Sequence, residues 1–257
     1  MNTRHSCRSL RSRGAAMALA AGLLLAPLAQ AAVCEATSGA KPPMVVELYT
    51  SEGCSSCPPA DLWLSTLNDQ PGILPLAFHV NYWNHLGWQD RFATPATTQR
   101  QHQVRAVQKG KYVYTPQVVL NGQDHRGWRG ETPATLLMAV QTNQASTPSL
   151  KLVREGRRVT AAVGAIGGAS TLAGYWAVLQ DGLVSQVTRG ENAGETLTHD
   201  HVVSLYQPVS AWTASEPRRL QLDLPEGPQF DALRVAFVVT RPGLVQPVQG
   251  VVLQCPA

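Results

Sequence analysis

Cys54 and Cys57, separated by Ser55 and Ser56, are the residues whose type and spacing best match a chemistry. Two thiols at this distance can close a disulfide on themselves and pass it to another protein by exchange. Zinc sites and plain structural bridges use the same spacing. A zinc site would normally require a second pair of ligands, and no second C-x-x-C or close His pair follows. A reactive dithiol instead requires its first sulfur at a helix N-terminus, where free backbone N–H groups and the positive end of the dipole favour a thiolate. On that reading Cys54 attacks, and Cys57, one turn further on, resolves the mixed disulfide. Ser55 and Ser56 carry no charge and can assist only through hydroxyls and amides.

The surrounding pattern supplies such a setting. Met44 to Thr50 (MVVELYT) is a short apolar, β-rich run, expected to be a buried strand. After the cysteines, Leu62, Trp63 and Leu67 recur at helical spacing, giving strand, reactive turn, helix. Pro58 disfavours the α-region at Cys57, so an irregular first turn is expected. Ile73 to Tyr82 reads as a second strand, and the polar stretch from Thr94 to Gln108 as a solvated helix with Pro95 in its first turn. Gln117 to Leu120 and the Asn121-Gly122 pair predict a hairpin. Thr132-Pro133 opens a helix expected to run to about Gln144. From Pro148 the texture changes to eight short alternating runs, lying between Leu150 and Leu253, which predict a β-sandwich-like unit.

Other candidates gather around this framework. Glu47, seven residues before Cys54, and Asp61, four beyond Cys57, are both placed to relay protons to the dithiol; each is equally at home as a surface acid. His79, Tyr82, Trp83, His85 and Trp88 form a loop able to cover the dithiol or recognise a partner, or simply to pack. Thr115-Pro116 precedes a predicted strand about sixty residues after the dithiol. His199 and His201 would share one strand face, but no metal set is assigned. Without a nucleophilic serine motif or a glycine-rich phosphate loop, no hydrolase or nucleotide reading is supported and no cofactor is expected.

The stretch from Glu47 to Asp61 (ELYTSEGCSSCPPAD), together with HVNYWNHLGW at His79 to Trp88 and VYTPQVVLNG at Val113 to Gly122, closely resembles a family of secreted bacterial proteins of unknown function with a thioredoxin-like domain. The resemblance implies a thioredoxin-like fold, a cis Pro116 beside the dithiol, and export to the periplasm; it implies no substrate. Where relatives often carry acids in the second motif, this chain has Asn81 and Asn84. The expected fold class is therefore α/β: a thioredoxin-like domain with a helical insertion over residues 42–146, then an all-β sandwich-like domain over 148–257.

The first 31 residues read as a secretory signal: four arginines and no acid, an apolar run from Ala15 to Leu28, and Ala29-Gln30-Ala31 as a cleavage site. They hold four of the 21 Lys and Arg and none of the 17 acids, leaving 17 of each. That balance gives no electrostatic case for nucleic acid or an anionic membrane, and no later run is long and apolar enough to span a bilayer. Beyond Cys7 in the signal, four cysteines remain. A local Cys54–Cys57 pair leaves Cys34 and Cys255 for each other, with two free thiols as the alternative. The leading expectation is a periplasmic or secreted thiol–disulfide oxidoreductase whose partners are protein thiols or disulfides. Thr115, Ser55, Ser56 and Trp83 would contact the partner, and Thr115-Pro116 would align its backbone. The alternative is a copper-handling or partner-binding protein whose cysteines, with His79 or His85, hold a soft metal or form only a bridge.

Overall fold

A computed structural model describes residues 33–139, 147–168, 170–226 and 233–255. The expected signal segment and the end of the helix predicted to reach Gln144 lie outside these residues. Strand β1 spans Val33–Thr37, β2 Met44–Thr50, β3 Ile73–His79, β4 Gln117–Leu120 and β5 Gln123–Asp124. The helices are α1 (Pro58–Ser65), α2 (Pro95–Val107) and α3 (Pro133–Met138). Then follow β6 (Leu150–Glu155), β7 (Arg158–Val163), β8 (Thr171–Gln180), β9 (Leu183–Gln186), β10 (Thr196–His199), β11 (Val202–Thr213), β12 (Arg218–Asp223), β13 (Arg234–Thr240) and β14 (Pro247–Leu253).

These strands assemble differently from the sequence expectation. An eight-stranded sheet runs β14-β13-β8-β11-β3-β2-β4-β5, so four strands from each half of the chain share one hydrogen-bonded surface. The junction is the start of β11, where Val202 pairs in parallel with Ala77 of β3 and antiparallel with Gln180 of β8. A second sheet, β1-β6-β7-β12, is entirely antiparallel, and β9 and β10 form a small hairpin-like pair. With fourteen strands and three α-helices among the described residues, the chain is predominantly β. The expected α/β thioredoxin-like fold with a helical insertion, followed by a separate all-β sandwich, is therefore corrected. Period-two patterning specifies which face of a strand is buried but not which strand lies beside it.

Side-chain alternation across the large sheet creates three cores. On one face Met44, Val46 and Leu48 of β2 meet Ala60, Leu64 and Leu67 around α1, with Leu136 of α3. Further along the same face the four-stranded sheet packs on β8, β13 and β14, with Trp176 and Phe237 in contact at 4.6 Å between ring centroids. The opposite face carries Val45, Tyr49, Leu74, Phe78 and Tyr175 beneath Val104 of α2. Helix α2 opens with a Thr94/Thr97 capping box and Pro95 in its first turn, as the sequence suggests. It is not the solvated helix expected, because Thr97, Arg100, Gln101 and Val104, a stripe at helical spacing, are all buried.

Arg100 explains how so polar a helix packs. Its guanidinium donates to Glu47 Oε1 at 2.5 Å and to the Leu244 carbonyl at 2.8 Å, and lies 4.3 Å from the Tyr175 ring centroid. Tyr49 and Tyr175 hydroxyls donate to the same carboxylate. A buried charge is tolerable only when paired and hydrogen-bonded in this way. At the sheet edge, Asn121 and Gly122 take φ values of +45° and +84°, the turn geometry that an Asn-Gly hairpin favours. A Cβ at Gly122 would lie 2.4 Å from the Val245 carbonyl oxygen, so both conformation and space require glycine there.

Candidate functional site

The reactive turn is built where β2 leaves the sheet. Cys54 and Cys57 form a disulfide with Cα atoms 5.4 Å apart. The Cys57 N–H donates to the Cys54 carbonyl, and the Ala60 and Asp61 N–H groups donate to the Cys57 carbonyl, starting α1. Cys57 is the N-cap of that helix and adopts φ −81°, ψ −39°; the α-region is kept despite Pro58. Since Pro58 and Pro59 have no N–H and the next two donors are engaged, the helix start offers the sulfurs its dipole rather than free amides. The hydroxyl of Ser56, 3.4 Å from Cys54 Sγ, is the polar group in contact.

Both sulfur-bearing residues are buried, whereas Ser55 and Ser56 are exposed. A strap preceding β10 accounts for part of this cover. Asn192 Nδ2 donates to the carbonyls of Glu52 and Cys54 at 2.9 and 3.0 Å, and Glu191 accepts from the Ser55 amide and hydroxyl at 3.0 and 2.8 Å. Those Ser55 hydrogen bonds hold the exposed Glu191 carboxyl below its usual range. On the other side Trp83 packs against Gly53, where a Cβ would come within 3.0 Å of the Trp83 Cβ. The Trp83 indole N–H donates to Thr115 Oγ1 at 2.8 Å, and the Thr115–Pro116 bond is cis. Trp83 thus links Thr115 to the turn that carries Ser55 and Ser56.

Below the turn lies a second polar group. Asp61, one helical turn after Cys57, accepts from the Thr50 hydroxyl at 3.0 Å. His79 ends β3 beside Thr50 and places Nδ1 2.8 Å from Asp90 Oδ2, while the same carboxylate oxygen accepts from the Glu52 amide at 3.0 Å. Glu52 Oε2 accepts from the Trp88 indole, and its Oε1 lies 3.4 Å from His199 Nε2. The His79 and His199 rings meet edge to face at 4.9 Å, with Phe92 against both. Burial pushes the Asp61 carboxyl up to about 6, against the opposing pull of His79 and His199. Burial works against ionised Asp90, yet His79 and two backbone amides more than offset it and lower its pKa. Burial likewise opposes protonated His79, but the Asp90 carboxylate prevails and raises it. Glu52 is held below its usual range, because the polar contacts of His199, Ser185 and Trp88 with its carboxylate outweigh its desolvation.

Not every expected residue joins the site. Glu47 points to the opposite face of β2, into the Arg100 network, away from α1. His85 is exposed, with Nδ1 2.7 Å from the Tyr82 carbonyl oxygen, and not in the buried cluster with His79. His201 is not on the His199 strand face: β10 ends at His199, and His201, at φ +58°, turns to Arg234 and Asp181. Sequence reasoning missed Glu52, Asp90, Glu191 and Asn192, none of which has a spacing relation to the cysteines that marks it. The other two cysteines among the described residues, Cys34 and Cys255, are bridged to each other across a separation of 221 residues. Two disulfides point to an oxidising compartment outside the cytoplasm. No described helix is long and apolar enough to cross a membrane.

Residues 45–240 match the family model described as protein of unknown function, DUF1223. Among solved structures, the crystal structure of protein AGR_C_4864 from Agrobacterium tumefaciens is similar at 28% identity, over 82% of this chain and 93% of that one, with a TM-score of 0.64. HBP35 of Porphyromonas gingivalis shares the fold at 14% identity and TM-score 0.57, over 84% of this chain and 76% of its own. No curated protein matches the sequence.

Proposed function

The chain belongs to the DUF1223 family of proteins of unknown function, and we propose that it performs thiol–disulfide exchange at Cys54 and Cys57, in the periplasm or outside the cell. The observation that carries this reading is the bridged pair itself, on a turn that leaves β2 and caps α1. In the reduced protein the Cys54 thiolate attacks a partner disulfide, forming a mixed disulfide and releasing one partner thiolate. The Cys57 thiolate then attacks Cys54 Sγ, which releases the second partner thiolate and closes Cys54–Cys57. Two electrons pass from the dithiol to the partner; run in reverse, the same steps oxidise a partner dithiol.

The α1 dipole and the Ser56 hydroxyl favour the Cys54 thiolate. Access requires the Glu191–Asn192 strap to lift, and its exposed Ser55–Glu191 hydrogen bonds are the part most easily exchanged for water. Trp83 and Thr115 then flank the uncovered turn and contact the partner. Glutathione titration with mass spectrometry of alkylated thiols tests the reading. A reduction potential well above about −300 mV, with Cys54 alkylated first, is expected; a pair resistant to reduction below that level would make it a structural bridge and overturn the proposal.

A further inference from the structure

We infer that Asp61, His79 and His199 form a binding site for a divalent transition-metal ion of the zinc class, one helical turn beneath the Cys54–Cys57 disulfide. Each residue directs one ligand-type atom into the group, and these atoms all lie within 4.8 Å of one another. The three arrive from separate elements, α1, the end of β3 and the end of β10, so the fold itself brings them together.

One ring nitrogen of each histidine in this cluster lacks a partner among the described residues. His79 Nε2 and His199 Nδ1 are buried without a hydrogen bond, although the two residues are 0% and 2% exposed, and His199 Nε2 has the Glu52 carboxylate at 3.4 Å. A buried polar atom left unpaired is destabilising, so two in one cluster call for an occupant. Behind them stands the outer shell that metal-bound imidazoles ordinarily have. Asp90 is hydrogen-bonded to His79 Nδ1, which fixes that ring and leaves Nε2 as its unpartnered nitrogen. Glu52 faces the His199 ring at 3.4 Å. Charge points the same way: Glu52, Asp61 and Asp90 are all buried, and no Lys or Arg among the described residues pairs with them. A divalent cation would supply the missing positive charge.

The donor set selects the ion. Two imidazoles and one carboxylate suit zinc and its neighbours better than calcium or magnesium, which prefer oxygen alone. Three protein ligands leave a fourth position for water or a second carboxylate. Bonds of about 2.0–2.1 Å in a tetrahedral site set the ligand atoms roughly 3.3 Å apart, so binding shortens the separations between them by up to about 1.5 Å. This site is independent of the dithiol, because neither sulfur belongs to the cluster and both are already bonded to each other.

The test uses the full mature chain with both disulfides intact, titrated with Zn2+ by calorimetry and with Co2+ by visible absorption. One ion per chain is expected, removable by chelation. The Cys54→Ser/Cys57→Ser variant should bind it equally well. His199→Gln and Asp61→Asn, each shown to be folded by circular dichroism, should weaken binding by more than about 100-fold, and Asp90→Asn by about 10- to 100-fold. Absence of binding by the wild-type protein would overturn the inference. So would binding that survives both ligand variants, or that appears only after the cysteines are reduced. None of these outcomes bears on the reduction potential, so the two proposals stand or fall separately.

Discussion

Replacing Arg100 with Met removes one side of the buried Glu47–Arg100 pair and leaves a carboxylate, 1% exposed, facing only the hydroxyls of Tyr49 and Tyr175. Breaking a buried ion pair from one side costs about 3–5 kcal/mol, because the remaining charge stays desolvated and uncompensated. Glu47→Gln should cost a similar amount from the other side, stranding a guanidinium held only by the Leu244 carbonyl, the Tyr206 hydroxyl and aromatic faces. With a urea slope of about 3 kcal/mol/M, either variant lowers the unfolding midpoint by roughly 1 to 1.7 M. Removing both charges together, as Glu47→Gln/Arg100→Met, should recover most of the loss, since no charge is then left buried without its partner. The double-mutant cycle then yields a coupling of several kcal/mol. Equilibrium urea unfolding followed by circular dichroism measures all four proteins, and alkylation of Cys54 is followed in parallel. Additive single effects, with coupling below about 0.5 kcal/mol, would refute the reasoning. A Glu47→Gln protein of unchanged stability but slowed Cys54 chemistry would refute it from the other side, by returning Glu47 to the dithiol.

Three further outcomes are expected. Ser56→Ala removes the hydroxyl beside Cys54 Sγ and should raise the Cys54 thiol pKa in the reduced protein by about one unit, since a hydrogen bond to a charged group contributes about 1.5–3 kcal/mol; the pH profile of alkylation reads this directly, and an unmoved profile would remove Ser56 from the site. Asn192→Ala frees the carbonyls of Glu52 and Cys54, and should lower stability by about 1–3 kcal/mol while speeding reduction of the Cys54–Cys57 bridge by small thiols; slower reduction would mean that the strap does not guard it. Replacing Cys34 and Cys255 with Ser opens a loop of more than 200 residues and should cost at most about 5 kcal/mol in the chain-entropy model, read as a fall in the urea midpoint with the Cys54–Cys57 pair still oxidised.

Much of the local structure is legible in the sequence. The buried run Met44–Thr50, the Asn121-Gly122 turn and the strands from Leu150 onward lie where alternation and turn residues put them. Missing were β1 and β10, short and half-polar strands whose pairing partners supply the order that their own composition does not. The assembly was not legible, because the pairing of Val202 with Ala77 spans more than 120 residues and leaves no mark in either segment. The site divides in the same way. Cys54 and Cys57 announce themselves by spacing, whereas His79, Asp61 and His199 converge only once β10 has been folded back over α1. Glu47 misled because strand alternation gives two faces, and the one it occupies is decided by Arg100, a residue that looks solvated in a polar helix.

The link between Cys34 and Cys255 makes almost the whole described chain into a covalent ring. Machines that dispose of proteins by drawing one strand through a narrow pore would meet the crosslink on reaching either of these cysteines. Pulling on either terminus transmits the load at once to the crosslink, not to the sheet edges, so the β-layers are shielded from being unzipped from their ends. Dismantling would have to begin with a reductant or an internal cut.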